Sequence, residues 1–165
     1  MYVQERIISR KILVMTVYEQ LVRLLPYSDS FMLIIDIKNT IDYHFPLFAT
    51  TDLAIDHMGY MCERFFDGNK THTIDIEFLK KIIVGRNSHI DTIVLMINKH
   101  CTTFSFEKMD PMDKALFLCG CIEYKMHQTP KQILLNEMIE IAKRYGDEGS
   151  PKLINGIGHK VLDDL

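Results

Sequence analysis

The chain has 165 residues, of which 47% are apolar and 25% charged, with a net charge of −3. That length predicts one domain, the apolar content supplies a core, and the charge balance excludes both a disordered chain and a polycation that binds nucleic acid over its whole surface. No run of about 20 apolar residues predicts a membrane span, and the first ten residues lack the apolar core of a signal peptide, so a cytoplasmic protein is expected.

In chain order, the first predicted helix runs from Val3 to Leu25. Ile7, Ile8, Ile12, Met15, Leu21, Val22 and Leu25 recur at three- and four-residue steps, and Pro26 stops the pattern. Tyr27 to Ser30 is a loop. Phe31 to Phe45 holds a short apolar run that periodicity alone leaves open; a lone strand has no pairing partner, which favours helix. Thr50-Thr51-Asp52 caps a helix through Phe66, and Asp67-Gly68-Asn69-Lys70 is a turn. Asp75 caps a helix from Ile76 to Val84 that Gly85 ends, and a further helix covers Ser88 to Cys101. Asp110-Pro111 opens a helix from Met112 to Met126.

The last forty residues carry the clearest punctuation. Thr129-Pro130 and Ser150-Pro151 each set a capping hydroxyl before a proline, which loses nothing at the first helical position because its missing N–H has no partner there. Gln132 completes a capping box with Thr129, and Gly146 suits a left-handed helix end after Tyr145. The sum is about seven to eight helices with no strand, an all-α helical bundle over residues 1–165.

Motifs for common chemistries are missing: there is no Gly-rich phosphate loop, HExxH, CxxC or GxSxG. Cys119 and Cys121 lie about 200° apart around a helix and cannot share a metal. No two of the seven histidines have the spacing of a helical zinc face. The four cysteines suit free thiols in a reducing compartment. Asp110 and Asp113 at a helix start favour the helix dipole. The reading is therefore no enzyme, no cofactor and no metal.

What remains is a cationic strip. Arg6 and Arg10 lie one turn apart on the first helix, Lys11 sits about 100° further round, and Tyr18 follows two turns on. Guanidinium and ammonium groups hold phosphates and a ring stacks a base, a combination suited to single-stranded RNA. Three cations on a helix also fit a plain solvated face. Lys80, Lys81 and Arg86 form a second cluster, explained by a helix C-terminus that favours cations.

The wording of the C-terminal third resembles the NusB-type transcription antitermination family. Leu135-Asn136-Glu137-Met138-Ile139-Glu140-Ile141-Ala142-Lys143-Arg144-Tyr145-Gly146, then Ser150, then Lys152-Leu153-Ile154-Asn155-Gly156 follow the family's order and spacing. Asp113-Lys114-Ala115-Leu116 with Glu123, the Ile90-Asp91 pair, and Arg6, Arg10, Lys11 with Val17-Tyr18 resemble further parts of its pattern. The resemblance implies a fold of two packed helical bundles, binding of boxA-type RNA in nascent ribosomal RNA, and pairing with the small-subunit ribosomal protein that acts as NusE. It implies Arg6, Arg10, Lys11 and Tyr18 as RNA-facing and Lys152 as a further phosphate contact. Leu118 and Leu153 stand where the family has an arginine and an aromatic residue. A helical protein-binding module or homodimer that has lost RNA binding is the alternative. A helical domain related to that of ribosomal RNA cytosine methyltransferases is a third reading, without the cofactor loop that catalysis would need.

Overall fold

A computed structural model describes residues 2–24, 51–65 and 74–165. The predicted loop at 27–30, the helix at 31–45 and the turn at 67–70 lie outside them. The described residues form six α-helices and one 3-10 turn and contain no strand, so the all-α expectation holds for them. We label the helices α1 (Tyr2–Leu24), α2 (Thr51–Phe65), α3 (Ile76–His100), α4 (Pro111–His127), α5 (Lys131–Tyr145) and α6 (Ser150–Asp163); the 3-10 turn is Phe106–Lys108. The chain divides into two compact units, Met1–Val84 and Gly85–Leu165, and α3 runs through the boundary.

In the first unit α1 packs on α2. Ile8, Ile12, Leu13, Val14 and Leu21 bury one stripe of α1, and Ala54, Ile55, Met58 and Cys62 bury one stripe of α2. Ile8, Ile12 and Leu21 belong to the stripe expected for α1, whereas Ile7 and Met15 are half-buried and Val22 is exposed. The Glu19 carboxylate and the His57 ring meet between the two helices at 3.2 Å.

In the second unit α4 is buried from Met112 to Glu123 with α5 and α6 packed against it. A helix enclosed on all sides needs an apolar circumference and a partner for each polar group. Phe117, Leu116, Cys119, Cys121 and Ile122 supply the first. Burying a side chain such as Phe117 completely is worth about 1.5–3 kcal/mol. Two of the polar groups are met directly: Lys114 Nζ donates to Glu107 O at 2.8 Å, and Thr129 Oγ1 donates to Glu123 Oε1 at 2.7 Å, whereas Asp113 Oδ1 is buried without a hydrogen-bond partner. Gly120 brings Met138 against α4, and Gly158 brings Leu135 against α6, so close that a methyl group on either glycine would overlap the facing side chain.

Four expectations about boundaries need correction. The helix predicted to end at Gly85 continues to His100. Gly85 is needed for close approach, because a methyl there would overlap the Met126 thioether. The continuing pattern of Ile82, Ile83, Ile90, Ile93, Val94 and Ile97, all buried, outweighs the local stop signal. Neither expected hydroxyl caps its helix: Thr129 spends its hydroxyl on buried Glu123 and α5 starts with no side-chain cap, so Gln132 completes no capping box, and α6 begins at Ser150 itself, after Gly149 and again with no side-chain cap. Gly146 is extended (φ −91°, ψ 177°), not left-handed, and its small size accommodates Ser150. The left-handed helix end belongs to Gln128 (φ 52°, ψ 34°), whose N–H donates to Tyr124 O. By contrast, Asp110 caps α4 as expected, accepting from Met112 N at 2.8 Å.

Candidate nucleic-acid interface

The cationic strip of α1 is built around the start of α3. Asp75 Oδ1 accepts from Phe78 N at 3.0 Å, the cap that the sequence predicts. Its second oxygen accepts from Arg6 Nη2 at 3.0 Å. Its backbone N–H donates to Ser9 Oγ at 2.7 Å, and that hydroxyl donates in turn to Glu5 O. One carboxylate and one hydroxyl thus fasten α1 to the first turn of α3. Above this joint two guanidinium groups share one ring: Arg6 lies 4.9 Å and Arg10 5.7 Å from the centre of Phe78.

The four α1 residues expected to face RNA therefore differ in what they present. Arg10 is 8% exposed, held over Phe78 with little of its surface in solvent. The Arg6 side chain keeps 41% of its surface exposed while bonded to Asp75. Lys11 is half-exposed and has no partner among the described residues, and Tyr18 is half-buried. Lys152 lies in the second unit, exposed on the first turn of α6. Arg6 and Arg10 are brought together on one ring; Lys11, Tyr18 and Lys152 do not share that contact.

Sequence reasoning missed Phe78 and the second duty of Asp75. Their signal was an N-cap aspartate three residues before an aromatic, a pattern that by itself says only that a helix starts. The second basic cluster reads differently in three dimensions. Because α3 continues past Gly85, Lys80, Lys81 and Arg86 lie within a helix, so the favourable helix end invoked for them is absent, and Arg86 is 9% exposed.

The family-like wording of the second unit is largely structural. Asp113 is buried at the start of α4 and hydrogen-bonded to Ser150 at the start of α6. Burial holds the Asp113 carboxyl above the usual carboxylate range, opposed by that hydrogen bond and reinforced by Asp110 and Asp147. Burial lowers the Lys114 ammonium from its ordinary value, while Asp110 and Glu107 act against the shift. Ser150 Oγ also accepts from Asp147 N at 3.1 Å, which fixes the turn into α6. Leu118 is 4% exposed in the core, and Leu153 is half-buried. Asn136 and Asn155 are exposed, and Asn136 Oδ1 accepts from Gln132 Nε2.

Among the described residues no three His, Cys, Asp or Glu side chains are grouped to hold a metal ion, and no described helix is long and apolar enough to cross a membrane.

Comparison with known proteins gives a match to the NusB family over residues 51–163. The transcription antitermination protein NusB of a Nitratiruptor species is 30% identical over 114 residues, covering 69% of this chain and 82% of the relative. The family match takes in α2 to α6 and therefore includes Lys152; Arg6, Arg10, Lys11 and Tyr18 precede it.

Proposed function

The chain belongs to the NusB family, and from that premise we propose that it is a non-enzymatic RNA-binding factor of transcription antitermination. The family match through α2 to α6 is the observation that carries this reading. Its ligand is single-stranded boxA-type RNA in nascent ribosomal RNA, and its protein partner is the small-subunit ribosomal protein that acts as NusE. The cytoplasm, where ribosomal RNA is made, is its compartment.

Exposure and internal contacts support separate roles for the cations. Lys11 and Lys152 are the readily available phosphate contacts, because nothing among the described residues competes for either ammonium. Arg6 serves as a third, with one edge on Asp75 and a large part of its side chain in solvent. Tyr18 offers a ring at the other end of the helix. Arg10 is a positioning residue: it packs on Phe78 and keeps the Arg6 side of α1 in register with α3.

The test is RNA binding by the full chain at several salt concentrations. Lys11→Ala and Lys152→Ala should each weaken binding and flatten the salt slope by about 0.7, one single-strand phosphate contact, with no change in melting temperature. Arg10→Ala should lower the melting temperature and leave the slope nearly unchanged. Wild-type protein that does not bind RNA at low salt, but recovers the ribosomal protein after nuclease treatment, would establish the protein-binding alternative. The internal contacts of Arg6 and Arg10 favour that alternative to the extent that they withdraw charge from solvent.

A further inference from the structure

Four basic side chains from three helices meet at the end of α6. Lys99 and His100 close α3, Lys125 sits in the last turn of α4, and Lys131 opens α5. All lie in the second unit, and all turn to residues 163–165. Lys99 Nζ donates to Asp164 Oδ2 at 2.6 Å, and His100 Nε2 lies 2.8 Å from the same oxygen. Lys131 is ion-paired with Asp163, and Lys125 Nζ donates to the main-chain oxygen of Leu165. Consecutive Cα atoms are about 3.8 Å apart, so these groups converge on a stretch of chain about 8 Å long.

Helix dipoles account for part of this gathering. They favour Lys99, His100 and Lys125 near helix C-termini but oppose Lys131 at the start of α5. That start has no side-chain cap and no acidic residue in its first turn, so its first N–H groups and the Lys131 ammonium together attract an anion. The end of α6 supplies carboxylates, but it holds them loosely. Asp163 keeps 60% of its side chain exposed and Asp164 33%, and exposed ion pairs are weak and screened by salt. Lys99 and His100 crowd onto a single oxygen and hold the Asp164 carboxyl below the usual carboxylate range.

We infer that this cluster is a binding site for a compact phosphate group, which residues 163–165 keep closed. Asp163 and Asp164 stand in for the ligand: their contacts show that Lys99, His100 and Lys131 are placed to bind anionic oxygens. A phosphate group carries nearly two charges and three acceptor oxygens, so it serves the donors that now share two carboxylates and leaves the end of α6 free. The cluster is short and bounded by the ends of α3, α4 and α5, which suits a small pyrophosphate-bearing compound over an extended strand. The inference stands apart from the RNA-binding reading.

The experiment is calorimetric titration of inorganic pyrophosphate into the full chain, with ionic strength matched by sodium chloride. Asp163→Asn combined with Asp164→Asn removes the internal competitor. Affinity should rise about tenfold over wild type, as for a site open about one-tenth of the time. In that open background, Lys99→Ala combined with Lys131→Ala should lose roughly tenfold, whereas Lys99→Arg combined with Lys131→Arg keeps most of the binding. Melts followed by circular dichroism check that each variant folds, and the comparison of closed with open chain stands without the alanine pair. Excess short RNA should leave the pyrophosphate affinity unchanged; RNA that competes assigns the site to a nucleic-acid phosphate and overturns the small ligand. Pyrophosphate that binds neither the wild type nor the Asn variant overturns the site, as does binding that the alanine pair leaves intact.

Discussion

Asp75 links helix capping to the availability of Arg6, and the two roles separate by substitution. Its Oδ1 caps α3 through Phe78 N, and its Oδ2 holds Arg6 Nη2, each at 3.0 Å. The cap is worth about 1 kcal/mol. The ion pair is discounted to about 0.5 kcal/mol, because the Arg6 side chain is 41% exposed and screened by solvent. Asp75→Ala removes both and should cost about 1.5 kcal/mol, a fall of about 3–6 °C in melting temperature for a chain of this size. Asp75→Asn keeps a side-chain oxygen for Phe78 N and discards the charge, so its fall should be only about 1–2 °C. Melts followed by circular dichroism at low and high salt check the division. The Asn deficit should shrink as salt screens the pair, while the additional Ala deficit stays. In RNA binding the same substitution acts in the opposite direction: with its competing carboxylate gone, Arg6 should bind RNA more tightly and steepen the salt slope by up to about 0.7. An Asn variant as unstable as the Ala variant, or one that binds RNA more weakly than wild type, would refute this account of the joint.

Two further predictions concern the second unit and the thiols. Because burial raises the Asp113 pKa on folding, the folded chain holds that proton more tightly than the unfolded one. The group's contribution is fully present below the ordinary carboxylate pKa of about 3.9 and is lost as pH rises through the higher folded value. Asp113→Asn keeps an acceptor for Ser150, so it should melt above wild type at neutral pH, with the gap closing toward pH ~4; a gap independent of pH would show that the carboxyl is not the cause. Cys62, Cys101, Cys119 and Cys121 are all buried, and burial pushes the Cys121 thiol up to about 12 and raises that of Cys119 as well. Reaction with a disulfide reagent near pH 8 should be limited by unfolding, and a rapid burst from the native protein would contradict that burial.

Much of the helical layout was legible because it is governed by local rules. The span of α1, the Asp110-Pro111 start of α4 and the Asp75 cap depend on nearest neighbours along the chain, and each is found within a residue or so of its expected place. The family resemblance of the C-terminal third was legible for a related reason. Its wording combines helix boundaries with the buried contacts of α4, α5 and α6, where few residues satisfy both.

Tertiary structure decided what local rules leave undetermined. Gly85 suits a helix end and a close approach equally, and Met126, forty-one positions away, selects the second. Thr129 suits a cap and a buried donor equally, and Glu123 takes the hydroxyl. Gly146 suits a left-handed end, but Gln128 takes that conformation instead. The cations of α1 follow the same logic. Sequence places Arg6, Arg10 and Lys11 within two turns, yet whether each charge meets water, a carboxylate or a ring depends on Asp75 and Phe78, more than sixty residues on. Helix starts and stripes are short-range properties of the chain, whereas the freedom of a charge is settled by whatever the fold brings beside it.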